Sequence, residues 1–231
     1  GMGPLHIGTD GGGSVRIPCA FSGIFGIKAN FGRVPIYPAS PFGTLSHLGP
    51  MTRNVEDAAL MLSVMAEPDP RDAFSLPYEA RDFGAVLEGG IAGLRVAFSP
   101  DLGYATVDPE VSRLVSEAAQ AFQALGVEVE QVDPGFENPQ GIFRSHWYAG
   151  AAHILRAMSA AQREMVDPGL RTVAEKGEAI TLDEYLNGTL ARSRLTVTMR
   201  KFHQNYDLLL TPTMPLPAFS LGSDTPIGPD G

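Results

Sequence analysis

The sequence predicts an α/β fold, and three stretches carry that expectation. Residues 94–98 and 127–130 have strand patterning and flank a segment of helical periodicity, the order of a parallel pair joined by a helical crossover. Residues 139–204 are patterned mostly as helix. Residues 207–213 then return as a short apolar strand, closed by Pro212, Pro215 and Pro217. With 231 residues the chain is long enough for a substantial core in one large domain. A hydrophobic share of 44% against 19% charged is that of an ordinary globular protein.

Residues 1–50 are rich in turns and glycine. Short apolar pieces such as Ile24-Phe25-Gly26-Ile27 read as short strands or buried loops. Near the start lies Gly8-Thr9-Asp10-Gly11-Gly12-Gly13-Ser14-Val15-Arg16-Ile17-Pro18. Three consecutive glycines suit a helix or strand interior poorly, because each loses more backbone freedom on ordering than any other residue. They suit a turn whose amides converge on one point, a concavity that binds anions. Ser14 then sets a hydroxyl beside those donors. Acyl transfer asks for that combination: a nucleophile, and amides directed at the oxyanion it creates. The same pattern also serves as a plain loop or a helix start.

Two other glycine-loop chemistries are excluded. A P-loop requires a Gly-Lys pair, and none follows. A nucleophile elbow requires glycine two residues after the serine, where Arg16 stands. Pro18 is expected to hold Ile17 extended and so to end the loop. Asp10 is expected to cap backbone amides in an Asx-type turn. Arg16 reads either as an exposed charge or as a guanidinium bonding carbonyls of the loop. Cys19 reads as a buried small hydrophobe, and His47 as a pocket or core residue.

Further along, residues 52–66 predict a helix. Thr52 or Asn54 is available as its cap, Val55, Ala58, Ala59, Leu62 and Met65 form its apolar face, and Glu56 and Asp57 sit in its first turn. Residues 67–92 are a long connection carrying Pro68, Pro70, Pro77 and Gly89-Gly90. Asp108 caps the crossover helix, with Pro109 in its first position and Gly126 at its end; Val111, Leu114, Val115, Ala118, Phe122 and Leu125 are its expected buried face. Ile142, His146, Ala149 and His153 have helical spacing. The two histidines lack a third ligand at metal-binding spacing, and both read as ordinary side chains. Thr181-Leu182-Asp183-Glu184 is a capping box that opens a helix to about residue 204, carrying Leu182, Tyr185, Leu186 and Leu190. Phe143, Trp147 and Tyr148 read either as core or as the lining of a pocket. Residues 222–231 read as a loop-like tail. The chain is thus expected to be a single domain: residues 1–66 an active-site core, 67–92 a connection, 93–206 an α/β and helical covering region, and 207–231 a return to the core and tail.

The net charge is −9, with 26 acids against 17 bases, which argues against a nucleic-acid-binding stripe. No run of about eighteen apolar residues predicts a membrane span. The single cysteine excludes an internal disulfide framework and fits a reducing, cytoplasmic setting.

Over residues 8–35 the chain resembles a known family. The stretch from Gly8 to Pro18, followed by Phe21-Ser22-Gly23-Ile24-Phe25-Gly26-Ile27-Lys28 and Phe31-Gly32-Arg33-Val34-Pro35, is similar to the second half of the amidase signature. The likeness continues through Leu48-Gly49-Pro50-Met51-Thr52-Arg53 into Glu56-Asp57-Ala58-Ala59, and returns weakly at Asp207-Leu208-Leu209-Leu210-Thr211-Pro212-Thr213.

The resemblance implies a central mixed sheet surrounded by helices, incomplete at both ends of this chain. It implies a Ser–Ser–Lys hydrolase of carboxylic amides in which Ser14 is the acyl-forming nucleophile. The amides of Gly11, Gly12, Gly13 and Ser14 would form the oxyanion hole, with Asp10 and Arg16 supporting the turn. A bridging serine, in a Gly-Ser-Ser-Gly-Gly stretch, and a lysine would precede these residues; this sequence contains no such stretch, and Lys28 stands in a different motif. In the family the variable helical region partly covers the site and shapes acyl preference. No cofactor and no metal are implied. The partner is a small amide substrate, without direct nucleic-acid or membrane contact, and a homodimer is allowed for.

Three readings follow. The first is an amidase acting on aryl or aliphatic amides. The second is the glutamine-hydrolysing chain of a tRNA-dependent glutamyl/aspartyl amidotransferase, which typically carries an Asp-Gln pair just before the Ile-Gly-Pro segment. Here Leu45-Ser46-His47-Leu48-Gly49-Pro50 lacks the acid. The third is a catalytically incomplete fragment that binds acyl groups.

Overall fold

In the computed structural model the described residues are 2–222, and they form two compact units. The first takes residues up to 19, then 23–87 and 140–192; the second takes 20–22, 88–139 and those from 193 onward. The loop-like reading of the tail falls, beyond Gly222, outside the described residues.

The first unit is built on a three-stranded antiparallel sheet, in the order β1 (Leu5–Asp10), β3 (His47–Thr52), β2 (Phe25–Gly26). Strands β1 and β3 pair along their whole length, from Leu5 opposite Thr52 to Asp10 opposite His47. Neither was expected as a regular strand. Gly8 and Gly49 weaken the local pattern, and Pro50 argues against a central strand. The pairing partner lies some forty residues away, so no local window contains it.

Between β1 and β2 runs α1 (Arg16–Ser22), closed by Gly23 in the left-handed conformation. Ile17, expected to be extended before Pro18, is helical instead. Pro18 is the third residue of α1, where a backbone N–H would have had no intrahelical acceptor, so the ring costs the helix nothing there. Helix α2 (Val55–Met65) follows β3. Asn54 caps it, accepting from the Asp57 amide at 2.8 Å, and Ala58, Ala59 and Leu62 are buried as the periodicity requires.

The connection after α2 is anchored rather than free. Asp72 accepts from the Ile36 amide at 2.9 Å, and Leu76 donates to the Gly32 carbonyl at the same distance. Helices α4 (Gln140–Arg156), α5 (Ala160–Glu164) and α6 (Pro168–Glu178) complete the unit, with Ala151, Leu155 and Ala174 packed against Phe42, Ile154 and Val173. His146 is buried in α4; its Nδ1 lies 2.8 Å from the Ile142 carbonyl and its Nε2 3.2 Å from Thr189 Oγ1. Among the described residues no three metal-ligating side chains come together.

The second unit carries a parallel sheet in the order β5 (Glu128–Gln131), β4 (Arg95–Phe98), β6 (Leu208–Leu210). The crossover from β4 to β5 is α3 (Pro109–Ala124), capped by Asp108. Strand β4 was expected to alternate. Val96, Ala97 and Phe98 are instead all buried, because β4 is the middle strand and is covered on both faces. The buried position of α3 is Ala119, while Leu114, Ala118 and Leu125, expected on the buried face, are exposed. A small side chain at the contact lets a helix approach its sheet closely.

Helix α7 (Leu182–Phe202) contributes residues to both units. Its capping box forms as expected, with Glu184 Oε2 accepting from the Thr181 amide at 2.8 Å and Thr181 Oγ1 from the Glu184 amide at 3.2 Å. Its apolar positions Leu182, Leu186 and Leu190 are exposed, so helical periodicity predicted the helix here but not its burial. No helix among the described residues is long and apolar enough to cross a membrane.

Candidate active site

Strand β1 ends at Asp10, whose side chain is fully buried. A buried carboxylate must be paired and hydrogen-bonded or it neutralises. Asp10 meets that demand from the turn that follows it. Its Oδ1 accepts from the Gly13 amide at 2.8 Å and its Oδ2 from the Val15 amide at 3.2 Å. Arg16 forks onto both oxygens, Nε and Nη2 each at 2.9 Å. Lys28 Nζ lies 3.7 Å from Oδ1. Burial would raise the Asp10 carboxyl, but the Arg16 hydrogen bonds and charge, the Gly13 amide and Lys28 outweigh it and hold it well below the usual carboxylate range. The capping role expected of Asp10 is therefore present. Arg16, read as an exposed charge or a partner of loop carbonyls, binds the carboxylate bidentately instead, the geometry a planar guanidinium favours.

This arrangement decides which amides of the turn are free. The Gly13 amide, expected with its neighbours at the oxyanion, is committed to Asp10. Among the described residues, the amides of Gly11, Gly12 and Ser14 donate to no acceptor. Gly13 has φ 125°, a conformation that L side chains rarely adopt, and this reverses the chain between strand and helix. Ser14 follows, exposed, two residues before the first residue of α1.

Gly11 and Gly12 are required for a different reason. A Cβ on Gly11 would stand 2.6 Å from Trp147, and one on Gly12 2.6 Å from Phe143. The two rings lie stacked at 5.5 Å, and Trp147 stacks in turn on Phe42 at 4.3 Å. Helix α4 thus lays an aromatic surface directly against the glycine turn. Of the three aromatics singled out in the sequence, Phe143 and Trp147 reach the turn. Tyr148 lies on another face of α4, lining a cleft of about 500 Å³ with Arg144, Asn187 and Gly188.

Sequence reasoning did not place Lys28 or Phe42 here. A lone cation after the apolar run 24–27 was the available signal for Lys28. Burial lowers its ammonium pKa, Arg16 lowers it further, and Asp10 acts in the opposite direction. Phe42 carried no local signal, because its partner is more than a hundred residues away. His47 sits opposite Asp10 in the sheet, with Nδ1 2.8 Å from the Leu45 carbonyl and its ring edge-on to Phe31. Burial lowers its pKa. Cys19 is buried, as expected, and burial raises its thiol pKa.

Chemically, the turn presents an exposed hydroxyl beside unengaged backbone donors, braced by the ion cluster around the buried Asp10 carboxylate and walled by aromatic rings. A hydroxyl beside free donors is the combination that acyl transfer on a serine requires. The Amidase family model matches residues 1–230, and the chain belongs to that family.

The chain is 35% identical over 229 residues to an acylamidase of Rhodococcus erythropolis, covering 98% of this chain and 48% of that protein. It is 34% identical to an amidase of Pseudomonas putida, covering 98% and 49%. It is 32% identical to a glutamyl-tRNA(Gln) amidotransferase chain of Rhodospirillum rubrum, covering 95% and 49%. Its fold matches the crystal structure of a bacterial aryl acylamidase of the amidase signature family with a TM-score of 0.82 at 29% identity, over 96% of this chain and 49% of that one. The chain spans about half the length of the curated relatives it matches.

Proposed function

We propose that this chain carries the nucleophile and the oxyanion donors of an amidase that cleaves the C–N bond of a carboxylic amide. The observation that supports this reading most directly is the pairing of an exposed Ser14 with the unengaged amides of Gly11, Gly12 and Ser14 itself. Ser14 Oγ attacks the amide carbonyl and forms an acyl-enzyme. The three amides hold the oxyanion; one such donor is worth about 3 kcal/mol in related chemistry. Asp10 holds Gly13 and Arg16, and through them the shape of the turn. Phe143 and Trp147 wall the acyl side.

The base is a lysine acting through a bridging serine, a Ser-Lys variant of triad logic. It protonates the leaving amine by the same relay, and water then releases the acid. The bridging serine belongs to a Gly-Ser-Ser-Gly-Gly segment, which the 231 residues do not include, and the lysine stands apart from that segment. Turnover of a simple anilide tests the reading. The 231-residue chain alone is expected to give none. A chain extended upstream through such a segment and its lysine is expected to be active, and to lose activity on Ser14→Ala. Activity in the extended chain that survives Ser14→Ala sinks the assignment.

The 32% identity to the tRNA-dependent amidotransferase supports a second reading, with glutamine as the ammonia source. The absence of an acid in residues 45–50 weighs against it. Ammonia release from glutamine that requires partner proteins would favour it over the first. A cytoplasmic setting and a homodimer complete the proposal; light scattering of the extended chain checks the dimer.

A further inference from the structure

The second unit contains a crevice that the chemistry above does not use. In open parallel α/β sheets, ligands bind outside the carboxyl ends of the strands, where the chain leaves neighbouring strands in opposite directions. Strand β4 is the middle strand of this unit's sheet. The chain leaves it through α3 to β5 on one side, and β6 lies on the other. The segments that follow β4 and β6 border an open crevice of about 260 Å³, lined among others by Asp101, Tyr104, Thr211, Pro212, Thr213 and Pro215.

The crevice is built, not incidental. Ser99 is fully buried; its Oγ donates to Asp133 Oδ1 at 2.6 Å and accepts from the Leu102 amide at 2.9 Å. Leu102 is the only non-glycine with positive φ (59°) among the described residues. Holding a branched side chain in that region is strained, and the surrounding bonds must offset the strain. The Asp101 carbonyl accepts from the amides of Tyr104 and Ala105, and its Oδ1 from the Gly103 amide at 2.8 Å. The Asp108 amide donates to the Pro215 carbonyl at 2.7 Å, which ties the two segments together.

The lining also has unused chemistry. Among the described residues, Asp101 Oδ2 and the hydroxyls of Tyr104, Thr211 and Thr213 make no hydrogen bond. Pro100, Pro212, Pro215, Leu102 and Val107 supply flat or aliphatic surface, and no cationic side chain lines the crevice. Its formal charge is therefore that of one carboxylate. Its size suits one ring on a short stem, being below the roughly 300 Å³ at which sites for drug-sized ligands begin.

We propose that this crevice binds a primary ammonium ion carried on a flat apolar group, an arylalkylammonium, with the Asp101 carboxylate taking the cation and Tyr104, Pro212 and Pro215 taking the ring. The Tyr104 and threonine hydroxyls accept the remaining ammonium protons. This assignment does not rest on the role proposed for Ser14.

Titration of the isotope-labelled 231-residue chain by NMR tests it, with benzylammonium, benzyl alcohol and phenylacetate as probes. Benzylammonium is expected to shift the amides of Tyr104, Thr211 and Thr213 saturably. The neutral and anionic probes should bind at least about tenfold more weakly, because a hydrogen bond to a charged group is worth roughly 1.5–3 kcal/mol. Asp101→Asn keeps Oδ1 as acceptor for Gly103 while removing the charge. It should bring benzylammonium down to the affinity of benzyl alcohol. Should that variant disturb the loop's own resonances, the comparison of the three probes on the unaltered chain decides. Shifts that map elsewhere, no saturable shift, equal affinity for phenylacetate, or an unaffected affinity in a folded Asp101→Asn variant each overturn the proposal.

Discussion

Asp10 shows how one side chain organises a turn. It is buried, it takes three amides and a guanidinium, and its carboxyl is held below the usual range. A carboxylate whose pKa falls on folding contributes stability that is fully present above its unfolded value of about 3.9 and is lost as the pH drops through that value toward the folded one. Asp10→Asn is therefore expected to flatten the fall of stability below pH ~4 measured by urea unfolding across that range. At neutral pH, removing the charge leaves Arg16 and Lys28 unpaired. Breaking a buried pair by removing one partner costs about 3–5 kcal/mol, and the partial exposure of Arg16 places Asp10→Asn at or below the lower end. A variant as stable as the parent, with the same acid midpoint, would rule this account out.

Gly11 and Gly12 make a second claim at the same scale. Gly11→Ala is expected to destabilise by about 1–3 kcal/mol, since the new methyl meets the Trp147 ring. Combining it with Trp147→Leu should recover part of that loss in a double-mutant cycle. Strict additivity of the two changes would mean that the ring and the turn do not press on one another.

Among the elements, the helix starts carry the clearest energetic signatures. Asn54 at α2, Asp108 at α3 and Thr181 at α7 each accept from an orphan amide of the first turn. Replacing Asn54 or Thr181 by alanine is expected to cost about 1 kcal/mol, read as a lowered thermal midpoint. A null effect at both sites would mean that solvent satisfies those amides equally well. These caps and the α3 start were legible in the sequence because they are local: cap, first-turn acid and apolar period lie within a few residues of each other. Strands β1 and β3 were not legible. Their six-residue register is set by a distant segment of the chain, and local glycine and proline argued against it. The buried face of α3 was misplaced for the same reason, since the sheet and not the helix selects Ala119.

At the scale of the whole chain, the charge balance has a direct consequence. With a net charge of −9, the protein is expected not to retain RNA or duplex DNA on a filter at physiological salt, because phosphate binding depends on clustered cations. Retention that weakens steeply with added salt would contradict this and would strengthen the amidotransferase reading.

The division into two units also recasts the expected covering region. Helices α4–α6 belong with the glycine turn, and β4, α3 and β5 with β6. Local chemistry already present in the chain settled the Gly11–Ser14 turn, its family, the helix caps and the parallel crossover, because each depends on residues close in sequence. Folding alone decided that Asp10 consumes the Gly13 amide, that Lys28 joins the ion cluster, and that rings from α4 close against Gly11 and Gly12. Those are contacts between segments far apart in the chain, and burial and register, which select them, exist only once the sheet has formed.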